Sequence, residues 1–308
     1  MLKIVQSEFK ALGTDIEVKI VTDDDKLQEV RQALEKIKLF YFKKEKIFSR
    51  FDPESELTHL NKNLGKYSKA SRDIIEVAQK ALEYCEKTGG FFDPRVIGIL
   101  EGIGYDKDFK KITDLSVSVA VQPLHGNLSD DLKIEENNVL FNCRMDFSGI
   151  AKGYITDRAA DFLKSRGFEN FLIDSGGDMY ASGKNEDGDF WKISIEGIED
   201  NKLNFSLSDK GVATSGITRR KWEGNGQKFH HLINPKNPQE FLFDLKTVTV
   251  ILENTEKADV WAKTLFLMGK DKGLEYSNEN GIASAFLDYK GNVFLSERIK
   301  YYIAKPSS

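Results

Sequence analysis

Strand-like and helix-like stretches come in blocks along this chain, and that ordering does most to limit its fold. Residues 1–20 alternate like two strands around Gly13. Residues 24–48 then place Leu27, Val30, Leu34, Ile37, Tyr41 and Phe48 on one helical face, with Asp23 or Asp24 as its cap. A second helix opens at Ser71, carries Ile74, Ala78, Ala81, Leu82 and Cys85 on one side, and stops at Gly89-Gly90. A third runs from about residue 151 to 166, with Ile155, Ala159, Phe162 and Leu163 inward and Gly167 as its stop. The strand-like runs FLIDS, FWKISIEG, LNFSLS and KTVTVILEN follow. A fourth helix over residues 256–268, closed by Gly269, precedes a terminal hairpin turning near Lys290-Gly291. Blocks of this kind predict an α+β fold rather than a doubly wound sheet. No GxGxxG follows the first strand, which argues against a Rossmann dinucleotide site.

The 308 residues, 40% hydrophobic and 31% charged, suffice for a full core. A net charge of −4 gives no electrostatic reason to expect nucleic acid as a partner. Two cysteines, Cys85 and Cys143, exclude a disulfide framework and a cysteine zinc site; Cys85, on its apolar stripe, reads as a buried structural thiol. No stretch reaches the ~18 apolar residues of a membrane span, and the amino terminus lacks the features of a signal peptide. As written, the sequence reads as a cytoplasmic chain that does not itself span a membrane.

Four segments mix glycine with isolated charges beside apolar runs. They are TGGFFDPRV (Thr88 to Val96), DFSGIAKGYITD (Asp146 to Asp157), IDSGGDMYASG (Ile173 to Gly183), and VATSGITRR with HHLINP (Val212 to Arg220, His230 to Pro235). The second leads into the third helix, whose exposed N–H groups and dipole attract phosphate. Gly149 and Gly153 let a ligand approach there, and Lys152 adds charge. The pair Gly176-Gly177, taken alone, reads as a tight hairpin turn rather than a ligand site. Thr214, Ser215 and Gly216 offer hydroxyls and backbone N–H groups to a phosphate. His231 is the candidate proton acceptor, because an ordinary imidazole titrates nearest neutrality, although a histidine beside apolar residues is more often structural. On the fourth helix Glu256 and Asp259 are three apart and share a face, a spacing that suits Mg²⁺. The plain alternative is a surface Asp259–Lys263 pair worth roughly 0.3–0.5 kcal/mol.

Taken in order, Leu12-Gly13-Thr14, SRFDPESELTHLN, FFDP, SGIAKGYITD, the glycine pair, ATSG, HLINP and ADVWAKTLFLMG resemble the ApbE family of FAD:protein FMN transferases. The resemblance spans nearly the whole chain and implies one domain over residues 1–308. It further implies helices packed on antiparallel sheets, with FAD in a cleft between two lobes. The implied reaction splits FAD at its diphosphate, moves FMN to a threonine or serine of a partner, typically a subunit of a membrane redox complex, and releases AMP. Leu12, Phe51, Phe91, Phe92, Asp93, Asp146, Lys152 and Ile233 match positions that hold FAD in the family. Gly149, Glu256 and Asp259 match the metal site for Mg²⁺. His231 as base and Asp259 complete the expected catalytic set.

The chain departs from the family pattern at four positions. Leu12 stands where methionine is usual, Phe51 where tyrosine is, Asn234 where aspartate is, and Lys263 where a metal-binding threonine is, with Thr264 displaced by one. An ammonium has donors and no acceptor, so a charged Lys263 cannot ligate Mg²⁺. Two alternatives use the same site: a protein that binds FAD or FMN without transferring it, and an Mg²⁺-dependent FAD pyrophosphatase.

Overall fold

A computed structural model describes residues 2–105, 123–195, 203–218, 220–224 and 226–304. Strands β1 (Lys3–Ala11) and β2 (Thr14–Thr22) form a hairpin. Its two turn residues, Leu12 and Gly13, have φ of 53° and 72°, the left-handed pair that a type I′ turn requires. Helices α1 (Leu27–Phe48) and α2 (Glu56–Lys62), strand β3 (Tyr67–Lys69) and helix α3 (Arg72–Lys87) follow. After α4 (Ile97–Gly102) and α5 (Leu128–Asp131) come β4 (Leu132–Glu135), β5 (Asn138–Phe141) and α6 (Ser148–Ser165). The chain continues through β6 (Phe171–Asp174), β7 (Met179–Ser182), β8 (Trp191–Ser194), β9 (Asn204–Leu207) and β10 (Lys210–Gly216). It ends with β11 (Lys221–Gly224), β12 (Gln227–His230), β13 (Leu245–Leu252), α7 (Thr255–Met268), α8 (Lys270–Glu279), β14 (Ala283–Asp288) and β15 (Val293–Leu295).

Eight strands join in one sheet, ordered β1-β2-β6-β7-β10-β13-β14-β15. Every ladder among the described residues is antiparallel, which bears out the α+β expectation. Tyr41 of α1, Phe147, Tyr154 and Ile155 of the α6 region, and Phe171 of β6 share one buried cluster. Val248 and Val250 of β13, Phe266 of α7 and Phe286 of β14 share another. Packing of α6 and α7 against each other, with α7 also on β10 and β13, ties these regions together.

Helix stops fall where glycine predicts them, at Gly89-Gly90, Gly167 and Gly269, all with positive φ. Ser71 caps α3 by accepting the Ile74 N–H. The predicted cap of α1 is corrected: Lys26, beyond both Asp23 and Asp24, occupies that position without a side-chain bond, and Asp24 pairs with Lys3. Cys85 is only partly buried; its Sγ donates to Asp93 Oδ2 at 3.7 Å, and burial pushes the thiol pKa up to about 12.

The crossing of α6 and α7 is set by Gly153. A Cβ there would lie 2.6 Å from Glu256 Cα and 2.7 Å from the Thr255 carbonyl oxygen. One turn further along, Asp157 accepts the Thr255 and Glu256 N–H groups at 2.8 and 2.9 Å, so one carboxylate caps the neighbouring helix. Gly153→Ala forces two backbones apart. It is expected to destabilise the protein by about 1–3 kcal/mol, read as a lower midpoint in urea at unchanged slope; an unaltered midpoint would contradict this packing.

Candidate functional site

Five segments meet at one end of the large sheet. The β6–β7 turn, Ser175 to Asp178, packs on the β1–β2 turn so closely that a Cβ on Gly176 would lie 2.0 Å from Thr14 Oγ1. Asp174 Oδ1 accepts the Gly177 N–H at 2.7 Å, so the glycine pair is a hairpin turn as well as part of this end. Strand β7 pairs with β10 only as far as Met179 opposite Val212. Thr214, Ser215 and Gly216 run past that point, paired on their other side with Thr249, Val248 and Thr247 of β13. The Thr214 hydroxyl is shared with Thr249 at 2.9 Å.

Opposite lie the start of α6 and the middle of α7. Asp146, 4% exposed, turns its Oδ1 onto the Ser148 N–H at 2.8 Å. The helix amino terminus expected to receive a phosphate is therefore already met in part by a carboxylate. Arg50 Nε lies 3.3 Å from the other Asp146 oxygen. Lys152 donates to Asp178, which is 1% exposed. Burial disfavours the Lys152 charge, but Asp178 and Asp259 outweigh it and raise the pKa. Asp259 is 5% exposed, and its Oδ2 has no partner among the described residues. Burial pushes its carboxyl up to about 7, and Asp178 adds to this while Lys152 and Lys263 oppose it. Burial lowers the Lys263 ammonium, against the pull of Asp259 and Asp146.

His231 belongs to the same cluster. Its Nδ1 lies 3.3 Å from the Arg220 carbonyl oxygen; only an N–H can donate there, so Nε2 keeps its lone pair. Burial, the Arg220 charge and the neighbouring charges hold its pKa well below 6.5. The adjacent His230 is instead enclosed by Phe241, Phe243 and Phe266.

The aromatic residues flank the charges. Phe51 is 42% exposed, with the Arg50 guanidinium 4.1 Å from its ring centre and 4.7 Å from that of Tyr105. Phe92 is buried against Tyr84, and the Lys263 ammonium lies 5.8 Å from its ring centre. Phe91 carries Lys236 over its ring. Asp93 is committed to Arg95, which contacts it at 2.7 Å and also binds Asp131. Ile233 is packed with Ile103, Tyr105 and Phe229. Leu12 donates its N–H to Glu45 at 2.8 Å.

These residues do not fit a divalent cation as they stand. Glu256, expected beside Asp259, gives Oε1 to Lys80 at 2.9 Å and Tyr84 at 3.0 Å. At Gly149 a Cβ would lie 1.6 Å from Lys263 Nζ, so a positively charged group already fills the space beside the glycine. Thr264 lies one residue on, about 100° around the helix from Lys263, and is fully buried.

The sequence model of the ApbE family matches residues 12–287. The chain belongs to the ApbE family. Among relatives, it is 26% identical over 310 residues to an FAD:protein FMN transferase of Haemophilus influenzae, covering 96% of this chain and 89% of that one. It is 27% identical over 247 residues to one of Vibrio cholerae, covering 76% and 72%. The fold matches the apo flavinyl transferase ApbE of Pseudomonas stutzeri with a TM-score of 0.83 at 23% identity, over 99% of this chain and 98% of that one. It also matches an ApbE protein of Thermotoga maritima with a TM-score of 0.84 at 24% identity, over 98% and 100%.

Within this ApbE chain, four site residues escaped the sequence reading: Arg50, Tyr105, Asp178 and Arg220. Asp178 had a signal, since it follows the glycine pair, and Arg220 ends the VATSGITRR segment. Neither signal shows that Asp178 would meet Lys152, which is 26 residues away.

Proposed function

We propose that this chain transfers FMN from FAD to a threonine or serine hydroxyl of an acceptor protein. The observation that carries the reading is the buried charge cluster at the start of α6, where Lys152, Lys263 and Arg220 face Asp146, Asp178 and Asp259. Family membership and relatives named FAD:protein FMN transferase support it. Cations held in place before the reaction stabilise charge that grows on a diphosphate without reorganising. The exposed ring of Phe51, held edge-on by the buried Tyr105, offers a stacking surface for the flavin.

In this reading His231 Nε2 takes the proton from the acceptor hydroxyl. The hydroxyl oxygen bonds to the phosphorus of the FMN half, the bridging P–O bond breaks, and AMP departs with the electron pair. Lys152 and Lys263 offset its charge. The acceptor is a protein, and a subunit of a membrane redox complex is the expected class. No helix among the described residues is long and apolar enough to cross a membrane.

Incubating the protein with FAD and a threonine-containing acceptor peptide tests the proposal. A fluorescent peptide heavier by one FMN, with equimolar AMP, is expected. AMP and free FMN with unlabelled peptide would mean hydrolysis, and bound intact FAD without products would mean simple binding.

A further inference from the structure

Three carboxylates, Asp146, Asp178 and Asp259, are 1–5% exposed at this site, and buried charges require counter-charge nearby. Arg50 answers Asp146 and Lys152 answers Asp178. Asp259 keeps one oxygen unpartnered among the described residues. Lys263, one turn along α7 from it, makes no hydrogen bond or ion pair within 4 Å to a described residue; its tip instead rests against Gly149. An ion bound between Asp259 and Gly149 would have to share that space with a like charge, which is unfavourable in a water-poor site.

We propose that Lys263 is the fixed cation of this site, and that the chain binds a nucleotide diphosphate without a divalent metal. The ammonium has three donors and no acceptor, so it can pair with Asp259 and present its remaining N–H groups to phosphate oxygens. Gly149 is part of the device, because any side chain there would displace the ammonium. Since the tip of a lysine is flexible, that displacement leaves the fold intact.

The diphosphate half of this inference rests on the flavin-nucleotide reading above; the metal half does not. The test uses chelator-treated protein, Mn²⁺ as a paramagnetic probe of metal binding, and calorimetric titration with FAD. Wild-type protein is expected to leave Mn²⁺ free, and its FAD dissociation constant is expected to agree within about twofold in chelator and in Mg²⁺. Losing one charge-assisted contact, Lys263→Thr should bind FAD about tenfold or more weakly in chelator. It should recover in Mg²⁺, as the threonine oxygen can ligate and the ammonium no longer blocks the space. Gly149→Ala, a second variant, should weaken FAD binding by a similar factor with its melting temperature retained. One tightly bound Mn²⁺ in the wild type, or FAD binding that strengthens about tenfold with Mg²⁺, overturns the inference alone. Absence of FAD binding in both media overturns the flavin-nucleotide reading and this inference with it.

Discussion

Asp259→Ala is expected to slow FMN transfer by about 10²-fold or more, the scale of a misplaced reacting group, while FAD stays bound within a few-fold of wild type. The carboxylate is buried near Lys152, Lys263 and Asp178, and removing it takes away a negative charge that both ammonium groups feel, so that Lys152 keeps only Asp178. An anionic diphosphate does not lose affinity when a negative charge leaves its pocket, so binding survives while the alignment of the scissile bond does not. Stability should change little, because burial already disfavours this carboxylate and pushes its pKa up to about 7. Single-turnover transfer, FAD titration and a melting curve on the same preparation separate the three effects. Wild-type turnover in this variant would remove Asp259 from the site.

His231→Ala is expected to lower the rate constant for transfer by about 10²–10⁴-fold, the usual contribution of a general base, with the KM for FAD nearly unchanged. The imidazole sits beside the charge cluster with Nδ1–H turned to the Arg220 carbonyl, and Nε2 is left to accept a proton. Burial and the Arg220 charge hold its pKa well below 6.5. The sign follows directly: a base with a depressed pKa is already unprotonated at neutral pH, so raising the pH further gains nothing from it. The wild-type rate and that of His231→Gln should therefore share the same pH profile between about pH 6 and 8 at very different heights. An acid limb that vanishes in His231→Gln would contradict this environment.

The fold was largely legible because its boundaries are set locally. Ser71, Gly167 and Gly269 end or begin helices by their own backbone and side-chain chemistry, and Leu12-Gly13 turns a hairpin with its own φ angles. Legibility failed where a distant partner decided the outcome. Asp24 does not cap α1, whose first turn starts behind Lys26, two residues later, and its carboxylate instead meets Lys3. Helix α2 was missed although Ser55 caps it through the Thr58 N–H, because seven residues are too few to display a periodic stripe. The site divides in the same way. Gly149, Lys152, His231 and Asp259 were readable as chemistry-bearing residues, and they do come together. Asp93 was equally readable, yet its carboxylate is occupied by Arg95. Asp178 and Arg220 lay within readable segments, but their role emerged only once tertiary packing placed them beside Lys152 and His231.

In the proposed reaction a flavin nucleotide is gripped by its diphosphate at the start of α6, between the ammonium groups of Lys152 and Lys263. The most direct measurement is the structure of the protein crystallised with FAD. Both phosphates are expected beside Gly149 and Lys152, within hydrogen-bonding distance of the two lysines. FAD bound with its diphosphate elsewhere, or a crevice that stays empty under saturating FAD, would contradict it.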